Sequence, residues 1–180
     1  MQLRLTGSGG QGVILASVIL AEAAVIAGNY TAQSQSYGPE ARGGSCKAEC
    51  IISDREIAFT KVTKPTFLLA LTQKALDQYA QSVTPETLIL ADSSLCVPEI
   101  LKNNTVLSLP ILRTAKEKTG RAVTANITAV GAINRILGIV SDAEIEQAVR
   151  MHIPAGTGEI NLAALRAGKE LAQGVCGEVQ

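Results

Sequence analysis

A glycine-rich loop between a strand-like segment and a long apolar segment constrains the fold of this chain most strongly. Residues 2–6, QLRLT, alternate as a β-strand does, and residues 7–12, GSGGQG, place four glycines in six positions. Residues 13–27 are mostly small and aliphatic, which predicts a helix that ends at Gly28 and Asn29. A strand, a glycine loop and a helix in this order are typical of a phosphate-binding βα unit.

The rest of the chain continues to alternate between strand-like and helix-like segments. We predict strands at 30–36, 45–53, 56–62, 66–71, 87–92 and 105–109, and helices at 73–81, 113–119, 124–138, 142–151 and 159–173. Ser141 is the predicted N-cap of the helix at 142–151, because Glu144 stands three residues later. Asp54 and Arg55 are the only residues between 45–53 and 56–62, so we expect these two strands to form a hairpin.

These elements predict one α/β domain over residues 1–180. Strands that are apolar throughout are typical of a mostly parallel sheet that is covered on both faces. We therefore expect a Rossmann-like sheet with helices on both faces, an inserted β-hairpin and a helical C-terminal third.

The charge and composition exclude several classes of partner. The 16 basic and 16 acidic residues give a formal net charge of +0 and form no basic cluster, so we expect no nucleic acid. The most apolar window, 13–27, contains Ser17 and Glu22 and is shorter than the roughly 20 residues that span a bilayer, so we expect no membrane segment. The N-terminus begins with a strand instead of a secretion signal, which predicts a cytoplasmic location.

Residues that could carry catalysis or hold a metal are few. The cysteines Cys46, Cys50, Cys96 and Cys176 lack the clustered spacing of zinc or iron–sulfur sites. A separation of four residues in a strand places Cys46 and Cys50 on one face, where we expect buried, reduced thiols. His152 is the single histidine and no G-x-S-x-G nucleophile elbow is present, so we predict a structural histidine and no catalytic residue.

The first loop has the chemistry of an anion site. Its predicted binding residues are Gly7, Ser8, Gly9, Gly10, Gln11 and Gly12. Glycines let a phosphate approach the backbone amides and the positive end of the helix. Gln35 and Ser36 stand where a dinucleotide site needs an acidic residue, and no Walker A lysine follows the loop. The loop therefore predicts an anion site without selecting NAD, FAD or ATP; the alternative is a turn that only lets the helix pack close to the sheet.

A second loop follows the second predicted strand, in the segment SQSYGPEARGG at residues 34–44. Its predicted binding residues are Tyr37, Gly38, Glu40, Arg42, Gly43 and Gly44. Both loops follow the carboxyl ends of strands, where open α/β sheets bind ligands, so we expect them to face one crevice. The guanidinium of Arg42 suits a phosphate or a carboxylate. The alternative is that Glu40 and Arg42 pair with each other or with a neighbouring subunit.

The two loops together resemble the signature of a known family. GSGGQGV and QSYGPEARGG, the chain length, and the segment ANITAVGAINRILGIVS around Asn126 and Gly131 are similar to the gamma subunit of 2-oxoacid:ferredoxin oxidoreductases over the whole chain. The sequence of the motif YGPEARGG is more similar to that of the 2-oxoglutarate and the branched-chain (ketoisovalerate) members than to that of the pyruvate members.

The resemblance implies an enzyme complex that decarboxylates a 2-oxoacid on thiamine diphosphate, passes electrons through iron–sulfur clusters to ferredoxin, and transfers the acyl group to coenzyme A. In that family the alpha and beta subunits hold thiamine diphosphate and Mg²⁺, and the beta subunit or a ferredoxin-like delta subunit holds the clusters. It implies that this chain is not catalytic alone.

For the two loops and Asn126, the resemblance implies binding of coenzyme A. The first loop would receive a phosphate, and Tyr37, Glu40 and Arg42 would shape the edge nearer the active subunits. Contact with the alpha subunit is the alternative role for the first loop. For the whole chain, the alternatives are an independent nucleotide-binding regulator and a freestanding dehydrogenase that would depend on His152.

Overall fold

The computed structural model describes residues 1–37 and 45–175, apart from the side chain of Tyr37. The elements in chain order are β1 (Gln2–Ser8), α1 (Val13–Ile26), β2 (Tyr30–Tyr37), β3 (Ser45–Ser53), β4 (Phe67–Ala70), α2 (Gln73–Ala80), β5 (Leu88–Asp92), β6 (Val106–Leu109), α3 (Ile111–Thr119), α4 (Ala125–Leu137), α5 (Asp142–His152) and α6 (Gly158–Gln173). Short 3₁₀ turns lie at Glu99–Leu101 and Ala122–Thr124. The predicted helices are all confirmed within about two residues of their ends.

The strands form one sheet in the order β2-β3-β1-β4-β5-β6. β1, β4, β5 and β6 are successively parallel, while β3 is antiparallel to both β1 and β2. Among the described strands, β3 therefore runs against the direction of the other strands. The mostly parallel α/β sheet predicted from the sequence is confirmed.

The predicted hairpin between 45–53 and 56–62 is wrong in its second strand. Residues 56–62 form no strand, and Phe59 is 62% exposed. The reason is that β3 already has a neighbour at each edge, β2 on one side and β1 on the other. The antiparallel insertion therefore consists of β2 and β3.

The two faces of the sheet bury different cores. Leu3, Leu5 and Leu69 point to the face that packs on α1, α4, α5 and α6, and these residues belong to the larger cluster. Leu68 points to the opposite face, where it packs with Leu76 of α2. Helices on both faces and a helical C-terminal third were both predicted, and both are confirmed.

A buried ion pair lies on the α2 face of the sheet. Nε of Arg4 is 2.7 Å from Oε1 of Glu49, directly opposite on β3, and each residue is 6% exposed. The same guanidinium donates to Oγ of Ser82 at 2.7 Å and to the Val62 carbonyl at 3.2 Å. Lys47 places Nζ 3.1 Å from the same Glu49 oxygen. These partners satisfy the charges in a site where unpaired ions would be costly.

A close helix crossing and a helix cap are the main local features of the C-terminal third. Gly131 of α4 and Gly168 of α6 lie at a close crossing, because a methyl group at either position would overlap the backbone of the other helix. Ser141 caps α5 as predicted: its hydroxyl accepts from the Glu144 amide while the Glu144 carboxylate accepts from the Ser141 amide. This contact holds the pKa of Glu144 below its ordinary value.

Candidate functional site

The glycine loop turns the chain sharply from β1 into α1. β1 ends at Ser8, whose carbonyl accepts from the Gln11 amide at 3.2 Å, and α1 begins with the bond from the Ala16 amide to the Gly12 carbonyl at 3.0 Å. Gly10 has φ 92° and Gly12 has φ 72°. L-residues rarely adopt these values, so the turn requires glycine at both positions.

The Gln11 side chain folds back over the end of β1. Its Oε1 accepts from the Ser8 amide at 2.7 Å. A Cβ atom on Gly7 would lie 2.5 Å from that oxygen, so the missing side chain of Gly7 makes room for the contact. This bond occupies the Ser8 backbone amide. Donation to a ligand by the Ser8 hydroxyl or by the Gln11 side-chain nitrogen stays a prediction.

The amides at the start of α1 are open toward an anion. Gly12 is the N-cap and supplies no side-chain cap, and the first turn contains no acidic residue. Within residues 1–37 and 45–175, no hydrogen bond is recorded from the amides of Gly9, Gly10 or Gly12. Gly9 and Gly10 are exposed. Unpaired amides at a positive helix end are the groups that bind phosphate.

Asn126 reaches the loop from a position 114 residues further along the chain. It lies in the first turn of α4, is 6% exposed, and its Nδ2 is 3.4 Å from the Gly12 carbonyl oxygen. A Cβ atom on Gly12 would lie 2.5 Å from Nδ2, so Gly12 is needed both for its conformation and for this approach. The structure therefore brings Asn126 together with the loop, and the starts of α1 and α4 meet there.

The two loops begin at the same end of the sheet, where β1 and β2 have their carboxyl ends. Ser8 at the end of β1 is opposite Ser45, and Tyr37 at the end of β2 is opposite Cys46. β1 and β2 therefore end beside the start of β3, one strand apart. The other predicted residues of the second loop, Gly38, Glu40, Arg42, Gly43 and Gly44, lie outside the described residues, as does the side chain of Tyr37, and their roles stay predictions.

Two of the described thiols lie inside the core, and the third is exposed. Cys46 and Cys50 are buried on the α1 face of β3, and burial raises the pKa of both, that of Cys50 to about 12. Cys96 is exposed, and Cys176 lies outside the described residues. Within the described ranges, histidine, cysteine and carboxylate side chains nowhere gather in a group of three that could hold a metal.

His152 and Asp92 both contact groups of the protein itself, which indicates structural roles for them. Nε2 of His152 is 3.6 Å from Oε2 of Glu22, at the contact between α5 and α1. The sequence pattern gave no signal for Asp92, which ends β5 and is 2% exposed. Its carboxylate accepts from Ser94 and from the Leu112 amide at 2.8 Å, so Asp92 caps the start of α3. This cap lies at the carboxyl end of β5, the same end of the sheet as the loops.

A cleft of about 690 Å³ opens between α4, α5 and α6, apart from the glycine loop. Ile145 and Leu165 line it together with charged side chains, and an ion pair between Lys169 and Asp142 crosses it. Lys169 therefore already has an acidic partner within the cleft. None of the helices within residues 1–37 and 45–175 combines the length and the hydrophobicity that a bilayer-spanning segment requires.

The sequence and the fold match known proteins over nearly the whole chain. A family model described as pyruvate ferredoxin/flavodoxin oxidoreductase matches residues 2–171. The 2-oxoglutarate synthase subunit KorC of Methanocaldococcus jannaschii is 43% identical over 96% of this chain and 94% of its own length.

Two solved structures share the fold. The keto/oxoacid ferredoxin oxidoreductase gamma subunit of Geobacter sulfurreducens PCA is 42% identical, with a TM-score of 0.85 over 97% of this chain and 99% of that one. The 2-oxoglutarate:ferredoxin oxidoreductase of Magnetococcus marinus, with 2-oxoglutarate, coenzyme A and succinyl-CoA bound, is 23% identical. Its TM-score is 0.89 over 97% of this chain and 31% of that one, a likeness of fold.

Proposed function

Because this chain belongs to the pyruvate ferredoxin/flavodoxin oxidoreductase family, we propose that it is the gamma subunit of a 2-oxoacid:ferredoxin oxidoreductase whose glycine loop binds a phosphate of coenzyme A. The complex oxidatively decarboxylates a 2-oxoacid to an acyl-CoA and CO₂ and passes the electrons to ferredoxin. The name of the 43% identical relative favours 2-oxoglutarate as the 2-oxoacid.

The observation that carries the coenzyme A proposal is the open set of amides at the start of α1. The exposed turn at Gly9 and Gly10 leads to a helix end with no side-chain cap and with no acidic residue in the first turn of the helix. Coenzyme A offers phosphates of the charge that such a helix end binds. The Magnetococcus relative, which shares this fold, has coenzyme A bound in its structure.

Three residues of the loop, together with Asn126, shape and hold the site in this proposal. Gly10 and Gly12 give the backbone its left-handed turns, and Gln11 fixes the turn by accepting from the Ser8 amide. Asn126 anchors α4 against the Gly12 carbonyl, so that the loop is held before the ligand arrives. A preformed set of amides binds an anion without a further ordering cost.

The remaining cofactors belong to companion subunits in this proposal. The alpha and beta subunits hold thiamine diphosphate and Mg²⁺, and the beta subunit or a ferredoxin-like delta subunit holds the iron–sulfur clusters. Thiamine diphosphate supplies the carbanion chemistry of decarboxylation. This chain contributes binding of coenzyme A and subunit contacts, and it acts in the cytoplasm with the rest of the complex.

The independent regulator and the freestanding dehydrogenase are not supported. The Methanocaldococcus and Geobacter proteins, which this chain covers by 94% and 99% of their lengths, are named as subunits. His152, on which a freestanding dehydrogenase would depend, faces Glu22 at a helix contact and does not line the loop.

The substitution Gln11→Glu tests whether the loop binds an anion. A glutamate oxygen can accept from the Ser8 amide as Oε1 of Gln11 does at 2.7 Å, so the turn is kept while a negative charge is added. A carboxylate a few ångströms from a bound phosphate repels it by about 1–2 kcal/mol at a partly exposed site. We therefore expect the KM for coenzyme A in the assembled complex to rise about tenfold, less at high salt, with the KM for the 2-oxoacid unchanged.

The matched control is Gln147→Glu, which makes the same change of charge on the exposed surface of α5. It should leave both KM values unchanged. Size-exclusion chromatography should show that both variants still enter the complex. If Gln11→Glu assembles and keeps the wild-type KM for coenzyme A, the loop is not the phosphate site, although the chain remains a gamma subunit.

A further inference from the structure

A basic cluster lies at the end of α3, just before the start of α4. Residues 111–121 carry four basic side chains and one acidic side chain. Nε of Arg113 is 3.8 Å from Oε1 of Glu117, so these two residues pair within α3. The three remaining cations are exposed and form the basic cluster: Lys116, Lys118 and Arg121. Within residues 1–37 and 45–175, none of the three pairs with an acidic side chain.

Hydroxyl contacts hold the backbone of Arg121 in place. The Arg121 amide donates to Oγ1 of Thr119 at 3.1 Å, and the Arg121 carbonyl accepts from the Thr124 hydroxyl at 2.8 Å. The two threonine hydroxyl oxygens lie 2.8 Å apart, and Thr124 is 4% exposed. The backbone of Arg121 is therefore fixed by part-buried contacts while its side chain stays exposed.

The basic cluster is tied to the glycine loop through α4. The 3₁₀ turn at Ala122–Thr124 leads directly into α4, where Nδ2 of Asn126 is 3.4 Å from the Gly12 carbonyl oxygen. The turn and the first two residues of α4 rise by about 9 Å. Arg121 therefore stands beside the α4 end of the proposed phosphate site.

Arg121 differs from the two lysines of the cluster. Lys116 and Lys118 lie in the last turn of α3, where the carbonyl groups of a helix end attract cations. That account does not extend to Arg121, which follows the Gly120 that ends the helix. Val123, two residues later, is 67% exposed. A guanidinium binds phosphate through two parallel hydrogen bonds, and an exposed apolar side chain beside it suits the base of a nucleotide.

We propose that Arg121 binds the 3′-phosphate of coenzyme A and so distinguishes coenzyme A from dephospho-coenzyme A, an inference that rests on the proposed function of the glycine loop. Coenzyme A carries a diphosphate and, on the ribose of its adenosine, a separate 3′-phosphate. When the loop amides hold the diphosphate, the covalent link keeps the 3′-phosphate close to the loop. Val123 then packs on the adenine, and Lys116 and Lys118 add positive potential around the phosphate.

The substitution Arg121→Gln tests this role, with coenzyme A and dephospho-coenzyme A as the two probes. Isothermal titration calorimetry on the assembled complex without a 2-oxoacid gives both dissociation constants with no contribution from turnover. The wild-type complex should bind coenzyme A at least about tenfold more tightly than dephospho-coenzyme A. Arg121→Gln should weaken coenzyme A to the level of dephospho-coenzyme A and leave the dissociation constant of dephospho-coenzyme A unchanged.

The matched control is Arg113→Gln, which removes the same charge from the exposed surface of α3, where Arg113 pairs with Glu117. It should keep the wild-type ratio of the two dissociation constants. The proposal is overturned if the wild-type complex binds both probes equally, if Arg121→Gln keeps the ratio, or if the control also loses it. An Arg121→Gln chain that no longer enters the complex in size-exclusion chromatography would assign Arg121 to a subunit contact and also overturn the proposal.

The two probes also separate this inference from the proposed function. A wild-type complex that binds neither probe refutes coenzyme A binding as a whole. A complex that binds both probes with a ratio that does not depend on Arg121 refutes only the role of Arg121.

Discussion

Replacing Gly168 of α6 by alanine should destabilise the chain, although alanine is the better helix former. A Cβ atom at Gly168 would overlap the Thr128 carbonyl oxygen, lie 2.8 Å from the carbonyl carbon and lie 3.0 Å from the Ala132 amide nitrogen. All three contacts are with backbone atoms of α4, which cannot rotate away. Carbon atoms pack at about 3.5–4.0 Å, so α4 and α6 must separate by about 1 Å.

The expected magnitude follows from two opposing terms. Overpacking against a rigid backbone costs about 3 kcal/mol, at the upper end of the usual range. Replacing glycine by alanine within a helix returns about 1 kcal/mol. The free energy of unfolding should therefore fall by about 2 kcal/mol, which corresponds to about 4–8 °C in Tm for a domain of this size.

The matched control lies in the same helix. Gly158, at the start of α6, has only the Arg150 side chain within reach of a new Cβ atom, at 3.8 Å, an ordinary contact. Gly158→Ala should be neutral or slightly stabilising in urea denaturation, with an unchanged slope of free energy against urea. If Gly168→Ala is as stable as Gly158→Ala, the helices do not cross as closely as described.

Gly168→Ala also tests whether the crossing of α4 and α6 is linked to the glycine loop. α4 carries Asn126 against Gly12 at one end and crosses Gly168 further along. A shift of α4 by about 1 Å should weaken the contact between Asn126 and the Gly12 carbonyl, because a hydrogen bond of 3.4 Å is already long. We expect a higher KM for coenzyme A in Gly168→Ala and no change in Gly158→Ala.

Three further predictions concern an ion pair and the cysteine thiols. Arg4→Met leaves Glu49 buried without its principal partner, so the free energy of unfolding measured in urea should fall by about 3 kcal/mol; a loss no larger in Arg4→Met than in a surface variant would contradict this. At about pH 8 an alkylating reagent should label Cys96 rapidly and Cys50 only after unfolding, because burial raises the Cys50 pKa to about 12. Unfolded Cys50 ionises near its ordinary pKa of 9.0 while the folded thiol keeps its proton, so stability should fall as pH rises from 9 toward 12. Cys50→Ala should reduce that slope, and an unchanged slope would refute the assignment.

The sequence predicted most elements because their signals are local. The glycines of the first loop, the apolar strands and the Ser141 cap act within a few residues of the chain, and all were found where the pattern placed them. The prediction for 56–62 was wrong because strand formation also requires a free sheet edge. β3 has none, and a fact of that kind depends on the neighbours of a strand in space.

The sequence by itself determined the α/β class, the order of its elements and the glycine turn, since backbone conformation and burial pattern are set by neighbouring residues. Tertiary structure decided which groups meet: it brought Asn126 to Gly12, turned Gln11 back on Ser8, paired Arg4 with Glu49 and placed β2 at one edge of the sheet. These outcomes depend on how strands are ordered and helices cross, and contacts between distant residues fix that order only when the whole chain is folded.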